Sequence, residues 1–228
     1  MYFQKRYPEW QFTSSAAFGT GSEIHVWMIP NKTEQQLVGM ASLLSNDEQN
    51  KLTKLIDQST RNKFLSHRVY RRQILSSYLN TTAEKIIFST HAQGKPFIKE
   101  PETALKINST HTQDQVLLAI SNGPEIGIDI ESDRVVKNWQ AISKRVYPTA
   151  LITQLMQSES PEQEFIASWT RFEAMQKCFG EGVFGKTADD PVEKLEMVCF
   201  ELGENFQVSL AWQNWASCPG LHFYRYQD

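Results

Sequence analysis

The chain has 228 residues, 40% hydrophobic and 21% charged, ordinary values for a globular protein that can bury a sizeable core as one domain or as two small subdomains. A net charge of −3 at pH 7 leaves no electrostatic footprint for nucleic acid. The start of the chain lacks the basic, apolar and small-residue pattern of a signal peptide, no apolar run is long enough to span a bilayer, and Cys178, Cys199 and Cys218 form no metal or disulfide spacing; the expectation is a soluble, cytoplasmic monomer with no membrane partner.

In chain order, Glu23 to Ile29 reads as a strand, and Ser45-Asn-Asp-Glu48 as a capping box opening a helix that runs to about Ile56. A longer helix follows from about Thr60 to Leu79. On it Phe64, Arg68, Arg72, Leu75 and Leu79 keep helical spacing, so two arginines share an apolar stripe. Arginines seldom sit on such a face unpartnered, which leaves two readings: a structural salt bridge, or an anion-facing role in a ligand cleft. Ile86 to Ser89, Pro96 to Ile98 and Val116 to Ile120 read as short strands, and Ser121-Asn-Gly-Pro124 as a turn.

The order then repeats: strand Ile126 to Ile130, a helical region from about Lys137 to Met156, a helix from Pro161 to Phe179, and strands near Leu195 to Phe200, Phe206 to Trp212 and Leu221 to Tyr226. The Pro161 helix has Ser160 as its N-cap candidate, proline at its first position and Gly180 to end it in the left-handed conformation. Phe165, Trp169 and Phe172 form its apolar stripe, and at about 100° per residue Glu173 and Lys177 fall at one edge of that stripe.

Two segments carry the chemistry. In Gly127-Ile-Asp-Ile-Glu131, Asp129 and Glu131 project from one face of a strand. In Trp169-Thr-Arg-Phe-Glu-Ala-Met-Gln-Lys177, Glu173 and Lys177 are neighbours one turn apart. Three carboxylates and an ammonium that meet in one place suit magnesium, which takes a few carboxylate oxygens and shares its other positions with water and phosphates, while lysine acts as a point charge on those phosphates. The bland alternative for Glu173 and Lys177 is a surface ion pair worth a few tenths of a kcal/mol.

A competing motif overlaps this one. Gly180-Glu-Gly-Val-Phe-Gly185-Lys186-Thr187 matches the phosphate loop of nucleotide hydrolases, but that loop needs a buried strand before it and a helix directly after it. Here an amphipathic helix precedes, and Ala-Asp-Asp-Pro191 follows.

Together these segments resemble the 4′-phosphopantetheinyl transferases, in particular the two-domain Sfp-like group. The resemblance rests on G-I-D-I-E, on W-T-x-x-E-A-x-x-K followed by G-x-G, on Arg68 and Arg72 as R-x-x-x-R, on Gly94-Lys95-Pro96 and on Asn108-Ser-Thr-His111, in order over roughly residues 45 to 185. It implies an α+β fold of two similar α/β halves about a pseudo-twofold axis, residues 1–122 on the coenzyme A side and 123–228 with the magnesium site and the helix carrying the chemistry. The implied metal ligands are Asp129, Glu131 and Glu173, and the implied catalytic set is Glu173, Lys177 and Asp129. By the same resemblance Lys63, Arg68, Gly94, Lys95, Pro96, Thr110, His111 and Lys177 face coenzyme A. The implied reaction transfers the 4′-phosphopantetheine arm of coenzyme A to a serine of an acyl or peptidyl carrier protein, with Mg2+ as cofactor and release of 3′,5′-ADP.

Two departures stand out. The family usually has lysine immediately before the helical glutamate, where this chain has Phe172, and often a glutamate in the region of Tyr147 to Leu151, where none occurs. A non-catalytic relative that only binds coenzyme A or a carrier, and the phosphate-loop hydrolase, are the alternative readings.

Overall fold

The computed structural model describes residues 2–5, 7–180, 195–213 and 218–227. Strands β1 (Tyr2–Lys5), β2 (Trp10–Thr13) and β3 (Glu23–Ile29) lead into helices α1 (Asn46–Lys54) and α2 (Gln58–Leu79). A hairpin of β4 (Ile87–Thr90) and β5 (Pro96–Glu100) precedes β6 (Lys106–Thr112) and β7 (Gln115–Ser121). The second half runs β8 (Ile126–Ser132), α3 (Trp139–Val146), α4 (Thr149–Gln157), α5 (Pro161–Phe179), β9 (Leu195–Leu202), β10 (Phe206–Gln213) and β11 (Gly220–Tyr226).

Local chemistry explains most boundaries. The Ser45 hydroxyl accepts from Glu48 N and the Glu48 carboxylate accepts from Ser45 N, the reciprocal cap read in the sequence. Helix α2 starts before Thr60 because Asp57 caps it, its carboxylate accepting from Thr60 N at 2.7 Å. The helical region expected over 137–156 is two helices. Pro148 brings no N–H and holds Tyr147 in the extended region, so α3 stops and α4 begins afresh. At α5 the correction is smaller: Ser160 occupies the cap position without a side-chain cap bond, while Gly180 closes the helix at φ +71°.

Two sheets pack face to face in an α+β architecture. One has the order β2-β11-β3-β7-β6 and the other β1-β9-β10-β8. Strand side chains alternate between faces, and here both faces are covered. Ile24 and Val26 of β3, with Leu117 and Ala119 of β7, meet Ile126, Ile128, Val208 and Leu210 of the opposite sheet. The alternate residues Trp27, Ile29, Val116, Leu118 and Ile120 pack under α2, and α3 to α5 cover the outer face of the second sheet through Phe165, Phe172, Met175 and Met197. Burial on both sides is why Val116 to Ile120 reads as an unbroken apolar run.

We place the division between the halves in the turn between β7 and β8. Two strands cross it: β1, from the start of the chain, pairs parallel with β9, and β11, from the end, lies parallel between β2 and β3. Strand β6 escaped the sequence reading because Lys106-Ile-Asn-Ser-Thr-His-Thr112 is mostly polar; pairing with β7 makes it a strand. No described helix is long and apolar enough to cross a membrane.

Candidate active site

The site lies where α5 rests directly on β8. A Cβ built on Gly127 would collide with the α5 backbone around Ala174 and Cys178, so the strand and helix approach without a side chain between them. That contact brings Lys177 over Asp129. Lys177 Nζ donates to Asp129 Oδ1 at 2.6 Å and to Thr110 Oγ1 at 3.3 Å, and Thr110 Oγ1 donates to the same Asp129 oxygen at 3.0 Å. Asn108 keeps β6 in place, its side-chain oxygen accepting from Ile128 N at 2.9 Å. Three elements distant in the chain thus converge on one carboxylate.

Asp129 is buried, and its second oxygen, Oδ2, has no hydrogen-bond partner among the described residues. A buried acceptor left unpaired is costly, which marks a place where a cation or a substrate donor completes the structure. Its neighbours point the same way. Burial, then the charge of Asp129, holds the Glu131 carboxyl above the usual carboxylate range, with Arg134 at 3.3 Å and Lys177 opposing. Burial and then Asp129 likewise push Glu173 up, against the pull of Lys177. Three carboxylates crowded so that two resist ionising form a hard-oxygen donor set that fits a divalent cation such as magnesium. They are not drawn tight: among the described residues, the three ligand-type side chains whose atoms all lie within 4.8 Å of one another are instead Glu23, His25 and His222.

The expected coenzyme A residues divide into two groups. His111 lies on the solvent side of β6; partial burial, followed by the charges of Lys177, Arg68 and Lys63, holds its imidazole below the ordinary value. Those cations come from α5 and α2, so four of the expected residues converge on one basic face. Lys63 also reaches Asp114 at 3.1 Å. The second group sits at the end of α5. Gly94, at φ +86°, forms the turn before β5, which Pro96 opens. Lys95 is directed inward, its Nζ donating to Glu125 Oε2 at 2.9 Å, to Cys178 O at 3.0 Å and to Ile126 O at 3.1 Å. All three ammonium donors are engaged, and Lys95 ties the turn to β8 and to the end of α5.

The open question about the two arginines of α2 resolves by burial. Arg72 is buried, donates to Glu48 at 2.7 Å and also to the carbonyls of Ala83 and Ile86, a structural anchor. Arg71, which the stripe argument missed, is equally buried; it donates to Glu48 at 3.1 Å and lies 3.8 Å over the Phe88 ring. Arg68 is looser, 3.6 Å from Glu48, and is the one of the three whose charge acts on His111. Glu48 therefore caps α1 and anchors α2 at once. Phe172 is 6% exposed and packs edge-on against Tyr147 at 5.9 Å, as its place on the stripe requires.

Residues 27–123 match a family model described as 4′-phosphopantetheinyl transferase, N-terminal, and residues 125–208 match the 4′-phosphopantetheinyl transferase superfamily. The chain is 30% identical to 4′-phosphopantetheinyl transferase HetI of Nostoc sp. over 166 residues, 71% of this chain and 70% of HetI. The chain belongs to the 4′-phosphopantetheinyl transferases. Two further transferases of the family are AcpT of Escherichia coli O157:H7, 36% identical over 112 residues, and psf-1 of Bacillus pumilus, 30% identical over 114 residues. These matches cover 48% and 49% of this chain, and it spans about half the length of each, 55% and 47%. The family model over residues 125–208 spans Gly127, Asp129, Glu173 and Lys177 together. The phosphate loop needs a strand before its first glycine, and Gly180 ends helix α5. The remainder of the loop-like stretch, including Gly182, Gly185 and Lys186, lies outside the described residues.

Proposed function

We propose that this transferase moves the 4′-phosphopantetheine arm of coenzyme A onto a serine of an acyl or peptidyl carrier protein, using a magnesium ion held by Asp129, Glu131 and Glu173. The observation that carries the reading is the crowding of these three carboxylates around an Asp129 oxygen with no partner among the described residues. Magnesium, when bound there, supplies charge for the pyrophosphate of coenzyme A.

The residues then divide the work. Lys177, fixed on Asp129, is placed beside the phosphates, and His111, Lys63 and Arg68 line the basic face for the remaining anionic groups of coenzyme A. Thr110 holds Asp129 and Lys177 in register. We retain Gly94, Lys95 and Pro96 as the turn bordering this cleft, with Lys95 acting through its tether to Glu125 and α5. The carrier serine Oγ attacks the β-phosphorus, the new P–O bond forms, and the bond to 3′,5′-ADP breaks. The serine proton passes to Glu173, or to a water or carboxylate beside the metal. Positioning and charge stabilisation supply most of the rate.

Mass spectrometry of apo acyl and peptidyl carrier proteins incubated with the enzyme, coenzyme A and magnesium tests this. A magnesium-dependent mass gain of one phosphopantetheine on the carrier, with 3′,5′-ADP in solution, is expected. Turnover undiminished by chelation overturns the metal assignment, and coenzyme A binding without any carrier modification supports a binding-only relative.

A further inference from the structure

Strands β3 and β11 run parallel as neighbours, with His25 opposite His222 and Glu23 opposite Gly220. Residues two apart on a strand share a face, so Glu23, His25 and His222 project together toward α2. Glu23 Oε2 lies 2.9 Å from His25 Nε2 and 3.9 Å from His222 Nε2. The fourth position of the patch is Gly220, where a Cβ would meet His222 Nε2 at 3.3 Å and Glu23 Cγ at 3.4 Å. The missing side chain leaves an open cradle beside the three ligand atoms.

The surroundings are built as well. His25 is buried, and its Nδ1 is 2.7 Å from the Tyr78 hydroxyl, which also accepts from Trp27 Nε1 at 2.8 Å. Gly19 N donates to Glu23 Oε2 at 3.0 Å. Metal-bound histidines characteristically donate their second ring nitrogen to an oxygen that fixes the ring, and Tyr78 stands where that acceptor is needed. His222, 40% exposed on its side chain, gives the cluster an opening to solvent.

We propose that Glu23, His25 and His222 form a second metal site, selective for a borderline divalent ion of the zinc class, that clamps the last strand of the chain onto β3. Two imidazole nitrogens and one carboxylate oxygen are the donor set of zinc and its neighbours, whereas magnesium prefers oxygen throughout. His25 binds through Nε2, with its proton on Nδ1 toward Tyr78; His222 binds through Nε2 and Glu23 through Oε2, and the open side takes a water. These residues lie in the sheet opposite β8, so the site is separate from Asp129, Glu131 and Glu173.

The test is zinc titration, by calorimetry, of the chelator-treated protein in excess magnesium, added to fill the carboxylate cluster proposed above. One zinc per chain is expected. His222→Ala, which removes a half-exposed ligand, should weaken binding at least about tenfold while leaving circular dichroism and carrier modification unchanged, and zinc should raise Tm in the wild type only. Gly220→Ala, which fills the cradle, should weaken binding with all three ligands still present. Cobalt in place of zinc should give a tetrahedral spectrum without thiolate charge transfer. No zinc uptake by the wild type, wild-type affinity in His222→Ala, or a thiolate signature from Cys178, Cys199 or Cys218 would each overturn the site.

Discussion

Gly127 of β8 packs against Ala174 of α5 so closely that the strand has no room for a side chain there; a Cβ would also come within 2.8 Å of the Lys177 carbonyl carbon. The glycine of the G-I-D-I-E segment thus sets the height of α5 above β8, and with it the 2.6 Å contact between Lys177 and Asp129. Gly127→Ala must push helix and strand apart. We expect a loss of about 3 kcal/mol, typical of overpacking where only backbone can yield, and a larger fall in transfer rate than in stability. Chemical denaturation beside a carrier-modification assay measures both, and an active, wild-type-stable variant would refute the argument.

Asp129→Asn keeps the shape of the residue but removes its charge. Transfer should fall at least about a hundredfold, near 2.7 kcal/mol of barrier, with the fold retained. The rate at saturating coenzyme A and the far-ultraviolet circular dichroism decide; activity within about tenfold of wild type would remove Asp129 from the metal set.

The two arginines should behave differently. Arg72→Ala removes one guanidinium from Glu48, which keeps Arg71 at 3.1 Å, and leaves the carbonyls of Ala83 and Ile86 without that donor; it should cost about 1–3 kcal/mol with little change in KM for coenzyme A. Arg68→Ala should cost less stability and raise that KM, because Arg68 is held loosely at Glu48 and its charge reaches His111. Equal kinetic effects from both would contradict this division.

Glu48 also predicts a pH dependence. Burial opposes its ionisation, but the hydrogen bonds from Arg72 and Ser45 and the charges of Arg72 and Arg71 outweigh it and hold the carboxyl below 4.5. A depressed folded-state pKa contributes stability that is present above the unfolded value and lost as pH falls through the folded one. Wild-type protein should therefore lose stability on acidification below 4.5, and Glu48→Gln, already weaker at neutral pH, should show a shallower acid slope. Denaturation at a series of pH values compares the two, and parallel slopes would count against the Glu48 network.

Phe172 occupies the place of the lysine usual in the family, yet it is buried between Tyr147 and Trp169. Phe172→Lys should cost about 3 kcal/mol or more and bring no gain in turnover, since it buries a charge and loses aromatic packing. A stable variant with tighter coenzyme A binding would show that this position opens to the cleft.

Periodicity and short-range chemistry determined much of this protein without any tertiary information. The strand bearing Asp129 and Glu131, the helix from Pro161 to Phe179, the capping box at Ser45 and the burial of Phe172 all depend on residues within a few positions of one another. Such spacings obey fixed rules of 2.0 and 3.6 residues per repeat, so they can be read directly. Other features depended on partners far away in the chain. Glu48 decides that Arg72 is an anchor and Arg68 a rim residue, Glu125 and Cys178 O turn Lys95 inward, and pairing with β7 makes a strand of polar β6. His25 and His222 are the extreme case, since nearly the whole chain lies between them and only the parallel pairing of β3 with β11 sets one opposite the other. A hydrogen bond or ion pair across such a distance leaves no periodic trace in the sequence, because chain closure by the folded core, and not local spacing, brings the partners together.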